Sequence, residues 1–166
     1  MAHPARPVAL PGVDAGAFEA FVVAHEARLV RALTATYGPT VGREAAVDAL
    51  SWAWEHWDRL GPMANPVGYL YRVGQTAARR ALGGREVPFT EVAVVLPDVV
   101  EPGLLPALRG LSEQQRTVVV LVHGYGWSLR ETAELLGCSL STVRNHLERA
   151  LTRLRSALEV EHAHDR

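Results

Sequence analysis

Residues 128–158 read SLRETAELLGCSLSTVRNHLERALTRLRSAL. Leu129, Thr132, Ala133 and Leu136 recur at helical spacing, and Ser128 with Glu131 forms a capping box ahead of them. Gly137 supplies the backbone freedom to stop that helix, and Ser139 can cap the next. In the second helix Leu140, Val143, Leu147, Ala150, Leu151, Leu154 and Leu158 fall on one stripe. At about 100° per residue, Ser141, Thr142, Asn145 and Arg149 face the other way, with His146 and Arg153 beside them. A buried stripe backed by short hydrogen-bonding groups and arginine is what a helix needs to enter a DNA major groove. The stretch is therefore expected to be a helix-turn-helix. Two amphipathic helices around a glycine also occur in plain bundles. What favours DNA is local charge: Arg144, Arg149, Arg153 and Arg155 stand against Glu148 alone between Ser139 and Ala157.

Working back from this motif, a helix capped by Ser112, with Gln115 completing a capping box, is expected to reach about His123. Tyr125-Gly126-Trp127 then turns into the helix-turn-helix, and this half begins near Leu104. Residues 86–102, EVPFTEVAVVLPDVVEP, carry three prolines and four acidic residues, with no basic residue between Arg85 and Arg109. They read as an extended tether. Phe89, Val92, Val94, Val95 and Leu96 make it more apolar than a free linker, so they are expected to dock, either between the two halves or on a partner.

Nearer the N-terminus the pattern is helical again. One helix is expected from a cap at Asp14 to Thr36, with Phe18, Phe21, Val22, Leu29 and Leu33 inward, ended by Tyr37-Gly38-Pro39. A second, from about Val41 to Leu60, places Ala46, Val47, Leu50, Ala53, Trp54 and Trp57 on one arc before Gly61-Pro62. A third starts with Asn65 as cap and Pro66 in the first turn, and runs to about Leu82 before Gly83-Gly84. Its expected buried face is Val67, Leu70, Val73, Ala77 and Ala81. The fold class that follows is all-α: an N-terminal helical bundle over 14–84, an acidic linker over 85–103, and a helix-turn-helix domain over 104–160.

Composition narrows the function classes. The chain has 166 residues, 48% of them hydrophobic, which suffices for packed cores. All 17 basic residues are arginine, yet the formal net charge is −1, which argues against indiscriminate nucleic-acid binding. DNA contact must be local and assisted by a partner. The single cysteine, Cys138, excludes an intramolecular disulfide and reads as a packed side chain in the turn, with a redox sensor as the alternative. No apolar run approaches a membrane span and MAHPARPVALPG lacks a signal-peptide core, so a cytoplasmic location without membrane insertion is expected. No phosphate-binding glycine loop, nucleophile elbow or paired catalytic carboxylates are visible, and no cofactor or metal is implied. His162-Ala163-His164-Asp165 reads as a terminal run rather than a metal site.

Two stretches together carry a resemblance. EAAVDALSWAWEHWDRLGPMANPVGYLYRVGQTAARR (44–80) and LSEQQRTVVVLVHGYGWSLRETAELLGCSLSTVRNHLERALTRLR (111–155) are similar, in that order, to the two lobes of the extracytoplasmic-function sigma factors of bacterial RNA polymerase, in the sigma-70 family. The match spans roughly Phe18 to Leu158. The resemblance implies a non-enzymatic role: binding core RNA polymerase and directing it to promoter DNA, with the catalytic step left to the polymerase. By the resemblance, the second helix docks on the clamp of the largest polymerase subunit. Asp48, Trp52, Glu55 and Arg59 share its outward face, where Trp52 would stand in solvent as an anchor.

The resemblance also implies that the third helix and the loop before it hold the melted minus-ten element, which calls for stacking surfaces and polar pockets. The candidates are Asn65, Tyr69, Tyr71, Arg72, Gln75 and Arg79, with Tyr69 open to a core role instead. Many relatives carry an Asn in this helix and an Asp four residues on; here Thr76 and Arg80 stand in those places. The usual basic cluster is thinned to Arg79, Arg80 and Arg85. Ser141, Thr142 and Asn145 are the expected base readers of the minus-thirty-five element, and Arg144, Arg149 and Arg153 the phosphate holders. An anti-sigma factor is a further partner that the resemblance suggests. The alternative is a sigma-like regulator that binds DNA or a protein without melting promoters.

Overall fold

Asp14 sets the first helix: its Oδ1 accepts from the backbone N–H groups of Gly16 and Ala17, each at 3.1 Å. The structure is a computed structural model that describes residues 14–85 and 103–164, with side chains described to Glu159. Helix α1 spans Ala15–Tyr37 and stops at Gly38, whose φ of 83° only glycine adopts freely. The Gly38 N–H returns to the Thr34 carbonyl, so the chain reverses at once into α2, Pro39–Glu55.

The α1–α2 seam is built of small residues. Gly42, Ala45, Ala46, Ala49 and Ala53 are buried along α2. A Cβ added at Gly42 would lie 2.6 Å from the Thr34 Cα and backbone N, so the two backbones touch there. This corrects the expected arc of α2. Val47 is 62% exposed, because close backbone approach selects glycine and alanine for the seam and leaves the larger valine outside. A second correction concerns length: α2 breaks at His56, whose N–H and Nδ1 both lie within hydrogen-bond distance of the Trp52 carbonyl, at 3.1 and 2.8 Å. The short α3, Trp57–Leu60, follows. Phe18 meets Trp54 and Trp57 edge-on at ring distances of 5.1 and 5.3 Å, closing the open end of the α1–α2 pair.

Helix α4, Pro66–Leu82, begins as its sequence dictates: Asn65 Oδ1 accepts the Gly68 N–H at 2.9 Å with Pro66 in the first turn. Gly83, left-handed at φ 54°, ends it. Its buried arc is Val67, Gly68, Leu70, Tyr71, Gly74, Ala78 and Leu82; Ala81, expected inside, is exposed.

The C-terminal group comprises α5 (Leu104–Arg109), α6 (Glu113–Val119), a π-helical turn (Val120–Gly124), α7 (Leu129–Leu136) and α8 (Leu140–His164). Both expected capping boxes form, Ser112 with Gln115 and Ser128 with Glu131. Gly137 terminates α7 in the left-handed conformation, and Ser139 Oγ accepts the Thr142 N–H at 3.1 Å to open α8. Along α8, Val143, Ala150 and Leu154 are buried and Leu147, Leu151 and Leu158 half-buried. Leu140, expected on the stripe, is the first residue of the helix and is 40% exposed. The described residues contain helices and turns but no strand. The expected docking residues of the tether, Phe89 to Leu96, fall outside the described residues.

One hydrophobic cluster runs through both groups. Val120, Leu121, Trp127 and Leu135 pack with Phe21, Leu29, Leu33, Leu70 and their neighbours from α1, α2 and α4. Buried hydroxyls accompany this seam: Thr36 Oγ1 lies 3.1 Å from Tyr71 Oη and 2.8 Å from Thr117 Oγ1. Burial pushes the Tyr71 phenol up to about 12 from its ordinary value of 10.0, and burial together with the Glu113 carboxylate raises Tyr37 as well. The folded state thus holds these protons more tightly than the unfolded chain. Their contribution is complete below pH 10 and is lost as pH climbs toward 12. Urea denaturation midpoints are expected to fall over that interval, and to fall less for Tyr71→Phe.

Candidate nucleic-acid interface

The start of α8 presents a short polar surface. Ser141 and Asn145 are exposed, Thr142 is half-buried, and Arg144, Arg149 and Arg153 stand outward. Ser139 Oγ lies 2.8 Å from both Ser141 Oγ and Thr142 Oγ1, which ties three hydroxyls together at the helix entrance. Arg153 Nη1 donates to Gln115 Oε1 at 3.2 Å and is held against α6, whereas Arg144 and Arg149 make no ion pair with any described residue. Short donors and acceptors at the tip, with arginines along the flank, match the division between base reading and phosphate holding.

On α4 the expected outer face is Tyr71, Arg72, Gln75 and Arg79. Arg72 and Arg79 are exposed and Gln75 half-buried. Tyr71 is a correction: it is 2% exposed, with its hydroxyl on Thr36. The helix is covered on two sides, by α1 and α2 and by the C-terminal group, so its buried arc widens to include position 71. Tyr69 is 38% exposed, and its ring lies 5.4 Å from Trp52. Thr76 and Arg80 are exposed.

The α2 surface differs from expectation in two residues, Arg59 and Trp52. Asp48 and Glu55 are exposed on α2, and Arg59 is exposed on the separate α3 turn beyond the break. Trp52 does not stand in solvent. It is half-buried, stacked on His56 with ring centroids 4.3 Å apart at 10°, and leans on Tyr69. The break at His56 folds the imidazole back onto the indole, a local event that helical periodicity does not encode.

The outer face of α4 meets the C-terminal group, while Ser141, Arg144, Asn145 and Arg149 stay exposed. α7 lies against α4, and a cleft of about 280 Å³ between the groups is lined by Arg72, Gln75, Glu113, Cys138, Thr142 and His146. Several contacts join the two groups. Asn65 Nδ2 donates to the Glu134 carbonyl, and Arg72 Nη2 donates to the Gly137 carbonyl at 3.4 Å. Glu113 Oε1 accepts from Tyr37 Oη at 3.0 Å and from Arg79 Nη2 at 2.8 Å. Arg28 sits 5.1 Å over the Trp127 ring and donates to the Glu131 carbonyl at 3.3 Å. Glu113 and Arg28 are given no role by the sequence, and Trp127 only one in the turn before α7, because each acts on a partner some 34 to 103 residues away. Cys138 is a free, half-buried thiol that burial pushes up, against an opposing pull from Arg72, which suits packing better than reactivity.

Comparison with known proteins identifies the family. The family model described as Sigma-70, region 4, matches residues 104–154. The RNA polymerase sigma-E factor of Streptomyces avermitilis is 34% identical over 152 residues, covering 86% of this chain and 85% of its own. The sigma-E factor of Streptomyces antibioticus is 35% identical over 134 residues, covering 73% and 72%. Among solved structures, CnrH in complex with the cytosolic domain of CnrY superposes with a TM-score of 0.59 at 26% identity, over 86% of this chain and 88% of that one. The sigma factor RpoE in complex with the anti-sigma factor NepR, from Bartonella quintana, superposes with a TM-score of 0.55 at 21% identity, over 86% and 97%, and shares the fold. With its helix-turn-helix matched to region 4 and most of its length aligned to full-length relatives, the chain belongs to the extracytoplasmic-function sigma factors of the sigma-70 family.

Proposed function

We propose that this chain binds core RNA polymerase and directs promoter-specific initiation, without catalysing a reaction itself. The observation that carries the reading is the start of α8, where Ser141, Thr142 and Asn145 are offered at the tip of a helix-turn-helix, with Arg144 and Arg149, which pair with no described residue, behind them. The units are a core-binding and minus-ten bundle over 14–84, a linker over 85–103 and a minus-thirty-five reader over 104–160. Asp48, Glu55 and Arg59, with the edge of Trp52, form the surface for the clamp of the largest subunit. Asn65, Tyr69, Arg72, Gln75 and Arg79 serve the minus-ten strand, and Tyr71 supports them from the core. An anti-sigma factor is a fitting regulator, as NepR is in the RpoE complex. Among the described residues no helix is long and apolar enough to cross a membrane, in keeping with work on the cytoplasmic polymerase.

The test is a fluorescence titration of the purified chain against bacterial core RNA polymerase. Tight binding is expected. Because Trp52 also packs against His56 and Tyr69, the diagnostic variant is Asp48→Ala with Glu55→Ala, two exposed residues outside the core. A loss of roughly tenfold to a hundredfold is expected with the melting temperature unchanged. An intact chain that fails to bind core sinks this reading and leaves a regulator that has kept the sigma fold.

A further inference from the structure

The chain builds two capping boxes and completes them differently. Ser128 is answered by Glu131, which is exposed, and Ser112 by Gln115, which is only 7% exposed. Either glutamate or glutamine completes a capping box, so the cap alone does not explain the choice at 115. Gln115 has a second task. Its Oε1 accepts the Ser112 N–H at 3.3 Å and, from outside the box, Arg153 Nη1 at 3.2 Å. We propose that Gln115 is a positioning residue for DNA binding: its neutral amide holds the Arg153 guanidinium ready for a promoter phosphate without cancelling its charge.

The amide can do this because it is itself held. Ser112 fixes it at the start of α6. Ala150 and Leu154, close to Arg153 on α8, pack with Leu108 of α5 and Val119 of α6, which sets the roll of α8. Arg153 is therefore anchored, whereas Arg144 and Arg149 form no ion pair with a described residue. An arginine already held in place loses less freedom when it meets a phosphate. Its planar fork also has donors to spare: Nη1 serves the amide, while Nη2 and Nε bond no other described residue. A carboxylate at 115 would take the same guanidinium as a charge-assisted pair, largely out of water, and would compete with DNA for it. In the other box the Glu131 carboxylate bonds Ser128 and forms no ion pair with a described residue, so a charge is harmless there. Glutamate is thus disfavoured at 115 by the DNA and not by the helix.

This inference rests on the reading of α8 as the helix that meets DNA, and its test separates the two. Full-length Gln115→Glu, Arg153→Ala and the double variant are each assembled with core RNA polymerase. Fluorescence anisotropy at several salt concentrations then follows binding to a promoter duplex that the wild-type holoenzyme selects from random-sequence DNA. Gln115→Glu is expected to keep its cap and its melting temperature. It is expected to bind roughly threefold to tenfold more weakly and to lose up to about 0.9 of salt slope. Arg153→Ala is expected to lose as much, and the double variant no more than Arg153→Ala alone. A role in the cap alone would move stability and leave affinity and slope in place. Wild-type affinity and slope in Gln115→Glu, beside a loss in Arg153→Ala, overturn the positioning role and keep Arg153 as a DNA contact. An Arg153→Ala that keeps the wild-type slope removes Arg153 from the DNA surface, and the inference with it. If Gln115→Glu does not fold, Arg153→Lys decides, because it keeps the charge and lacks the fork. It is expected to keep the slope and bind roughly threefold more weakly, and wild-type affinity there overturns the inference.

Discussion

Gly42→Leu is expected to unfold the N-terminal group. The position lies where α1 and α2 come closest. A Cβ there would sit 2.6 Å from Thr34 Cα and N and 2.7 Å from the Leu33 carbonyl carbon. All three are backbone atoms and cannot rotate away, so the two helices must separate. Separation opens the whole alanine seam, because Ala45, Ala46, Ala49 and Ala53 have no longer side chains with which to refill it. Ordinary overpacking costs about 1–3 kcal/mol; a backbone clash of this kind is expected to exceed about 4 kcal/mol, a large part of a domain's total stability. Gly42→Ala is the informative companion. Helix propensity favours alanine there by about 1 kcal/mol, yet the same Cβ clash is expected to leave a net loss. Val47→Leu, on the exposed side of the same helix, is expected to stay within about 0.5 kcal/mol of wild type. Urea denaturation followed by circular dichroism reads all three.

Replacing Arg144, Arg149 and Arg153 together by alanine is expected to weaken promoter binding by roughly a hundredfold, with no change of preferred sequence. Each phosphate contact adds about 0.9 to the slope of log affinity against log salt, so the variant is expected to lose nearly three units of slope. The fold is expected to survive. All three side chains are exposed, and the one internal bond lost is that from Arg153 to Gln115. The Gln115 oxygen keeps its bond from the Ser112 N–H at 3.3 Å. Asn145→Ala is the contrasting case: it is expected to relax base preference while leaving the slope in place. Fluorescence anisotropy of holoenzyme on promoter DNA at several salt concentrations distinguishes the two. A triple variant that retained the wild-type slope would mean that α8 meets DNA by some other face.

What could be read from the sequence was local. The cap at Asp14, the Asn65-Pro66 start, the two capping boxes and the stop at Gly137 each involve residues within a few positions of one another, and all form. The inward positions of α8 were legible as well, apart from Leu140, because one stripe of the helix faces all of its neighbours, α5, α6 and α7. The inner side of α2 was not, since backbone contact at Gly42 rewards the smallest residues and reverses the usual ranking by hydrophobicity. Tyr71 was misplaced for a different reason: its burial depends on Thr117 and its neighbours, which are far along the chain. Trp52 was misplaced because a helix break at His56 supplied it with a stacking partner. The site residues of α8 needed only the pitch of one helix; those of α4 needed the whole tertiary arrangement.

The hydrophobic cluster that joins Trp127, Leu121 and Leu135 to α1 and α4 makes the two helical groups energetically dependent on one another. Damage in one is then felt in the other. A substitution deep in α1, remote from every promoter contact, loosens the platform on which α7 rests and shifts the orientation of α8. In a screen for promoter recognition such a substitution would score like a lost base contact, although it touches no base. Sensitivity to mutation in this chain therefore maps the seam as much as the DNA surface.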